Sequence, residues 1–261
     1  MKATDYINKL RSQGRFSFTI EEVQKVLGLE KIPCLNALHR LRKHKLIASP
    51  ARGFYLIVPP EYQVYGCLPA EMFVPDLMKY WCLPYYTSFL SAAQYYGAAH
   101  QKPQRFQVMT LKNRSSIQCG RVLVEFIANK CMTHFPVNKF NTVAGTVNVA
   151  SPEVLAADLV TSPQHAAGLN NVATILLDLA EALDGKKLVE LTQINNQLVW
   201  VQRLGWLLDF LGFEELSTPL WGTLENKKTH WTRLLSKGPY NPIERNKKWR
   251  IIINTTVEPD E

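Results

Sequence analysis

At 261 residues the chain is nearer two domains than one, and its 46% apolar and 20% charged composition excludes disorder throughout and a fibrous or low-complexity character. No apolar run approaches the roughly 18 residues of a membrane-spanning helix; the most apolar stretch, residues 198–213, is broken by Gln202, Arg203 and Asp209. The net charge of +8 is unevenly placed: residues 1–60 hold 11 Lys/Arg against 4 Asp/Glu, and 61–261 hold 19 against 18.

The opening Met1-Lys2-Ala3-Thr4-Asp5 leads into an amphipathic pattern rather than a secretory apolar region, so a cytoplasmic protein is expected. Residues 4–13 begin with an N-cap type residue, carry Tyr6, Ile7 and Leu10 at helical spacing and stop at Gly14. Phe16-Ser17-Phe18 alternates as a short strand does. Thr19 then caps a second helix over 20–27, which Gly28 ends. A third helix is predicted over 31–45, with Pro33 in its first turn, where a missing N–H costs little.

A helical wheel gathers Cys34, Leu35, Leu38 and Leu41 on one side of this third helix and Ile32, Asn36, Arg40 and Lys43 on the other, flanked by His39 and His44. Arg reads guanine, Asn reads adenine and Lys holds phosphate, so the polar side has the residue types of a recognition helix. Leu46-Ile47-Ala48, a turn at 49–53 and Phe54-Tyr55-Leu56-Ile57-Val58 form a hairpin with Arg52 at its tip. Helix, strand, helix, turn, basic helix, hairpin is the order of a winged helix-turn-helix. Its DNA-facing residues are taken as Lys31, Asn36, His39, Arg40, Lys43 and Arg52.

Pro59-Pro60 and the 66–69 region read as a linker, giving a DNA-binding domain over 1–60 and a second domain over 65–261. In the second, residues 71–83 and 85–96 read as helices and 106–111, 121–128 and 142–149 as strands. Further helices are predicted from Ser151-Pro152-Glu153 onward and over 168–183, 187–193, 197–211 and 225–235, and Trp249-Arg250-Ile251-Ile252-Ile253 reads as a late strand that returns to the sheet. The fold class is α+β: an N-terminal winged helix-turn-helix followed by a larger α+β domain with a small sheet and a helical latter half. A second basic segment is Lys227, Lys228, Arg233, Lys237, Arg245, Lys247, Lys248 and Arg250 against Glu244 alone; a polyanion partner and a solvated face explain it equally well.

Motif chemistry is sparse. Nothing matches a phosphate-binding glycine loop, a dinucleotide fingerprint, a zinc-protease helix or a nucleophile elbow, so no cofactor and no metal are expected. Asp76 and Glu125 are the best pair for a metal-dependent nuclease, but Ile127 stands where a water-activating Lys is required. The five cysteines, Cys34, Cys67, Cys82, Cys119 and Cys131, form no metal or disulfide spacing and are taken as reduced thiols, mostly buried. His100, His134, His165 and His230 are scattered, with no triad spacing.

With the N-terminal pattern, Leu68-Pro69-Ala70-Glu71-Met72-Phe73 and Ser91-Ala92-Ala93-Gln94-Tyr95-Tyr96-Gly97-Ala98 in view, the chain resembles the AbiEi family of type IV antitoxins. Arg52-Gly53-Phe54-Tyr55, the run from Ala150 to Leu159 and Arg203-Leu204-Gly205-Trp206-Leu207-Leu208-Asp209-Phe210-Leu211-Gly212 carry the resemblance further. It implies a winged helix that binds inverted repeats and represses its own operon, with Asn36, Arg40, Lys43 and Arg52 as operator contacts. It also implies a C-terminal domain that counteracts an AbiEii-type nucleotidyltransferase toxin without a stable complex, and no enzymatic activity. The competing readings are a winged-helix protein-interaction module and the nuclease.

Overall fold

The computed structural model describes residues 2–99, 103–195, 197–225, 227–238 and 242–259. Ten α-helices and three sheets among them make the chain α+β, and they fall into two compact units.

The first unit takes residues 1–87, 103–130 and 139–148. It opens with α1 (Ala3–Ser12), β1 (Ser17–Thr19), α2 (Ile20–Leu27), α3 (Lys31–Lys43), β2 (Ile47–Ala51) and β3 (Phe54–Ile57). α2 is closed at both ends by its sequence. Thr19 Oγ1 accepts the Glu22 N–H at 3.3 Å, Glu22 Oε2 accepts the Thr19 N–H at 2.8 Å, and Gly28 ends the helix at φ +63°. β1, β3 and β2 form an antiparallel sheet in that order, with a bulge between Ala48 and Ala51 and a turn at Arg52-Gly53.

β3 is buried along its whole length because its two faces enter two different cores. Tyr55 and Ile57 pack with Tyr6, Leu10, Phe18, Cys34, Leu38 and Leu41, whereas Phe54, Leu56 and Val58 pack with Phe73, Leu77, Met78, Val124 and Phe126. A strand apolar on both faces needs cover on both. The chain therefore passes from β3 through the turn Pro60–Tyr62 into α4 (Ala70–Tyr80) inside the same unit, and the compact units divide the chain differently from the expected 1–60 and 65–261.

The larger sheet holds β4 (Tyr85–Thr87), β5 (Phe106–Thr110), β6 (Ile117–Cys119), β7 (Val122–Ala128), β8 (Val137–Thr142) and β9 (Gly145–Ala150) in the order β6-β7-β5-β4-β9-β8. The β6–β7 turn requires glycine: a Cβ on Gly120 would sit 2.1 Å from the Tyr65 carbonyl oxygen, which accepts the Arg121 N–H at 2.8 Å. Tyr85-Tyr86-Thr87 is strand rather than helix. It pairs antiparallel with Thr110-Met109-Val108, as its aromatic and β-branched content favours, and only α5 (Phe89–Ala93) and a further turn to Tyr96 remain of the helix expected over 85–96.

The second unit takes residues 88–102, 131–138 and 149–261. α6 (Pro152–Thr161) is its central rod, buried from Pro152 to Val160 and neighboured by α5, α7 (Leu169–Leu179), α8 (Gly185–Ile194) and α9 (Leu198–Phe210). Ala156 and Ala157 let neighbours approach, and the two buried acids of α6 are hydrogen-bonded. Ser88 Oγ donates to Asp158 at 2.7 Å and the Asp184 N–H donates to Glu153 at 3.3 Å.

α10 occupies Glu214–Leu224, and the helix expected over 225–235 is absent among the described residues: Thr232–Arg233 is β10. β11 (Glu244–Asn246) and β12 (Ile251–Ile253) complete a sheet of their own, ordered β10-β12-β11, so the late strand does not return to the larger sheet. No helix of the described residues is long and apolar enough to cross a membrane.

Candidate nucleic-acid interface

α3 presents one apolar side inward and one polar side outward. Cys34, Leu38 and Leu41 are buried, while Lys31, Asn36, His39, Arg40 and Lys43 are exposed on the helix and Arg52 is exposed at the hairpin turn. Leu35 is a correction. Expected in the core, it is 39% exposed, because at 100° per residue it lies roughly 90° from the centre of the buried stripe. Ile32, 72% exposed, stands on the outward side as the wheel has it.

Residues 31–60 contain six Lys/Arg and no Asp or Glu, so the N-terminal excess of charge comes from α3 and the hairpin. Among the described residues none of Lys31, Arg40, Arg42, Lys43 and Arg52 is in an ion pair, whereas the cation Arg15, outside this segment, bonds Glu22 at 2.5 Å. At the N-terminus of α3, Glu30 makes no side-chain cap and the first turn has no acid, so Glu30 is the one carboxylate beside the amide end. At the other end Arg40, Arg42 and Lys43 complement the helix dipole, so these cations also stabilise α3 itself.

The hairpin turn is held from below. The Arg52 carbonyl accepts a 3.2 Å bond from Tyr80 Oη, and a Cβ on Gly53 would lie 2.7 Å from that oxygen. The Arg52 side chain stays outside while its backbone is fixed, an arrangement that can present a guanidinium to a phosphate or a narrow groove at low entropic cost.

The second basic segment is divided between structure and surface. Lys248 Nζ bonds Asp209 Oδ2 at 2.6 Å, and the same oxygen accepts Trp249 Nε1–H at 2.7 Å; Ser217 also donates to Asp209. Burial would raise the Asp209 carboxyl, but the bonds from Lys248, Ser217 and Trp249 outweigh it and hold the group below its ordinary range. Arg250 donates to the Thr229 carbonyl at 2.6 Å and Arg233 is half-buried. Lys227, Lys228, Lys237, Arg245 and Lys247 are exposed.

α9 is the seat of this segment, and the run from Arg203 to Gly212 shows how. Arg203 Nε donates to the Arg233 carbonyl at 3.1 Å, and Gln202 donates to the Trp249 and His230 carbonyls, each at 3.0 Å. Gly205 leaves room for the Trp249 ring, which a Cβ there would approach to 2.2 Å. Burial, the largest cause, and the nearby Arg233 both lower the Arg203 pKa.

Asp76 accepts a 2.5 Å bond from Ser17 Oγ and so ties β1 to α4, and Glu125 lies half-buried in β7. No group of three or more His, Cys, Asp or Glu that would hold a metal ion occurs among the described residues. Cys34, Cys67 and Cys119 are buried free thiols; Cys82 and Cys131 are exposed. Cys67 and Cys119 lie side by side, and hydrogen bonding to Cys119 together with burial pushes the Cys67 thiol up. His165 packs against Phe89, His134 and His230 are exposed, and His100 lies outside the described residues.

Residues 86–210 match the family model described as AbiEi antitoxin C-terminal domain. No curated protein sequence matches the chain. Among solved structures, the crystal structure of the RV2827C protein from Mycobacterium tuberculosis superposes with a TM-score of 0.69 at 17% identity, covering 95% of this chain and 90% of that one; the likeness is one of fold. The matched segment runs from β4 to the end of α9, so both basic segments lie outside it.

Proposed function

Residues 86–210 belong to the AbiEi antitoxin C-terminal domain family, and on that premise we propose that the chain is both an antitoxin and a DNA-binding repressor of its own operon. In this reading residues 1–60 are a winged helix-turn-helix, α3 its recognition helix and the β2–β3 hairpin its wing. Residues 65–261 counteract an AbiEii-like nucleotidyltransferase toxin in the manner of a type IV system, without a stable complex. The setting is the cytoplasm and the biological role phage defence.

The observation that carries the DNA reading is the outward side of α3: Asn36, Arg40 and Lys43 exposed together, with no carboxylate in residues 31–60 to neutralise them. Arg40 and Asn36 would meet base edges, and Lys31, His39, Lys43 and Arg52 would meet phosphate. The test is a mobility-shift titration on the DNA upstream of the chain's own gene, set against unrelated duplex of equal length. Arg40→Ala is expected to weaken the specific site by tenfold or more, and the change overturns the reading if it leaves the shift intact at every salt concentration.

A protein-interaction platform is the second reading, favoured by the exposure of Ile32 and Leu35 on the same helix. It requires that Ile32→Ser abolish function while Arg40→Ala and Lys43→Ala leave it intact.

A further inference from the structure

The small sheet in the second unit has two chemically different faces. Thr232 donates to Gln202 Oε1, and Ile251 and Trp249 are buried, so the inner face lies on α9. Register sets the outer face: Arg233 is opposite Ile252, which is opposite Arg245. Directly opposed residues point to the same side, so the outer face carries an Arg-Ile-Arg row across three strands. Trp231, two residues before Arg233, joins it; the Arg245 guanidinium lies 5.8 Å from the Trp231 ring centroid.

We propose that this outer face binds single-stranded nucleic acid, a base stacking on Trp231 while Arg233 and Arg245 hold the flanking phosphates. The inference stands apart from the duplex reading of α3, because it concerns other residues and a different nucleic-acid form.

Three observations support it. Trp231 is 44% exposed, a large apolar surface left in water beside cations. Its ring is not closed by Arg245: the first unit shows a fully stacked pair, Arg114 over Trp81 at 3.8 Å, and at 5.8 Å the indole keeps an open face. Neither Arg233 nor Arg245 is in an ion pair among the described residues, and Arg233 sits close enough to buried Arg203 to lower its pKa. A polyanion relieves that repulsion. A closed duplex stacks its bases internally and gives an exposed indole nothing to stack on, whereas an unpaired strand offers every base.

The test uses the full chain carrying Arg40→Ala and Lys43→Ala, which suppresses the contribution of α3. Its probes are fluorescein-labelled RNA and DNA single strands of about 12 nucleotides and a DNA duplex of the same sequence. Trp231→Ala is expected to weaken both single strands about tenfold and the duplex less than twofold, Trp231→Phe to restore most of the loss, and Arg245→Ala to reduce the salt slope by about one. Both side chains are exposed, so unchanged thermal melts verify the fold. Single-strand affinity indifferent to Trp231→Ala overturns the proposal, as does an equal loss for duplex and single strand or no single-strand binding at low salt.

Discussion

The two basic segments carry almost the same charge, +6 over residues 31–60 and +7 over 227–250, in opposite settings. The first unit holds 18 Lys/Arg against 8 Asp/Glu and the second 12 against 14. Outside 227–250 the second unit has four cations and thirteen acids, so its basic segment sits in an acidic body and folding consumes part of it: Lys248 on Asp209, Arg250 on the Thr229 carbonyl. On α3 no such consumption occurs. Equal charge counts in a sequence are therefore unequal in what they leave for a ligand.

The largest effect expected from breaking this contrast is at Gly205. A Cβ there meets the Trp249 ring at 2.2 Å, so Gly205→Ala should unseat the β10–β12–β11 sheet and lower stability by about 3 kcal/mol in denaturant melts. A variant as stable as the parent would show that Trp249 does not anchor the segment.

Asp209→Asn should cost about 2 kcal/mol at neutral pH, since it removes the charge that pairs with Lys248 and leaves one acceptor oxygen where Ser217 bonds one and Lys248 and Trp249 share the other. The sign follows from the lowered pKa. Stabilisation by this carboxylate is complete above its unfolded value of about 3.9 and is lost as pH falls through the lower folded value. The gap between parent and Asp209→Asn in melts should thus be constant above about pH 5 and close below about pH 4; a gap that widens in acid contradicts this network.

Lys248→Ala and Arg40→Ala sharpen the comparison directly. The first should reduce stability by about 1 kcal/mol and leave operator affinity unchanged; the second should weaken operator binding and, through the lost helix-dipole contact, cost only about 0.3 kcal/mol of stability. Lys45→Gly has the smallest expected effect. Lys45 closes α3 at φ +55°, where glycine is unstrained, so the change should stabilise by at most about 1 kcal/mol in thermal melts.

Local signals were legible where chemistry and spacing agreed. Thr19, Glu22 and Gly28 bound α2, and Ser151 caps α6 by accepting the Val154 N–H. The unbroken apolar run Phe54 to Val58 marked a strand buried on both faces, but that sense of it emerges only once α4 and β7 are seen against it. Tyr85-Tyr86-Thr87 and Thr232-Arg233 take strand form because distant partners, β5 and β12, capture them. Of the two candidate surfaces, α3 lies within one helix and follows from helical geometry. The Trp231–Arg245 pairing joins residues fourteen apart through a third strand, which no local period encodes.

Operator affinity as a function of salt, for the parent and for Arg40→Ala/Lys43→Ala, tests most directly whether α3 faces a duplex. The double variant should bind about a hundredfold more weakly and show a salt slope shallower by about two. Coincident curves for the two proteins across the whole salt range would mean that the cations of α3 touch no DNA.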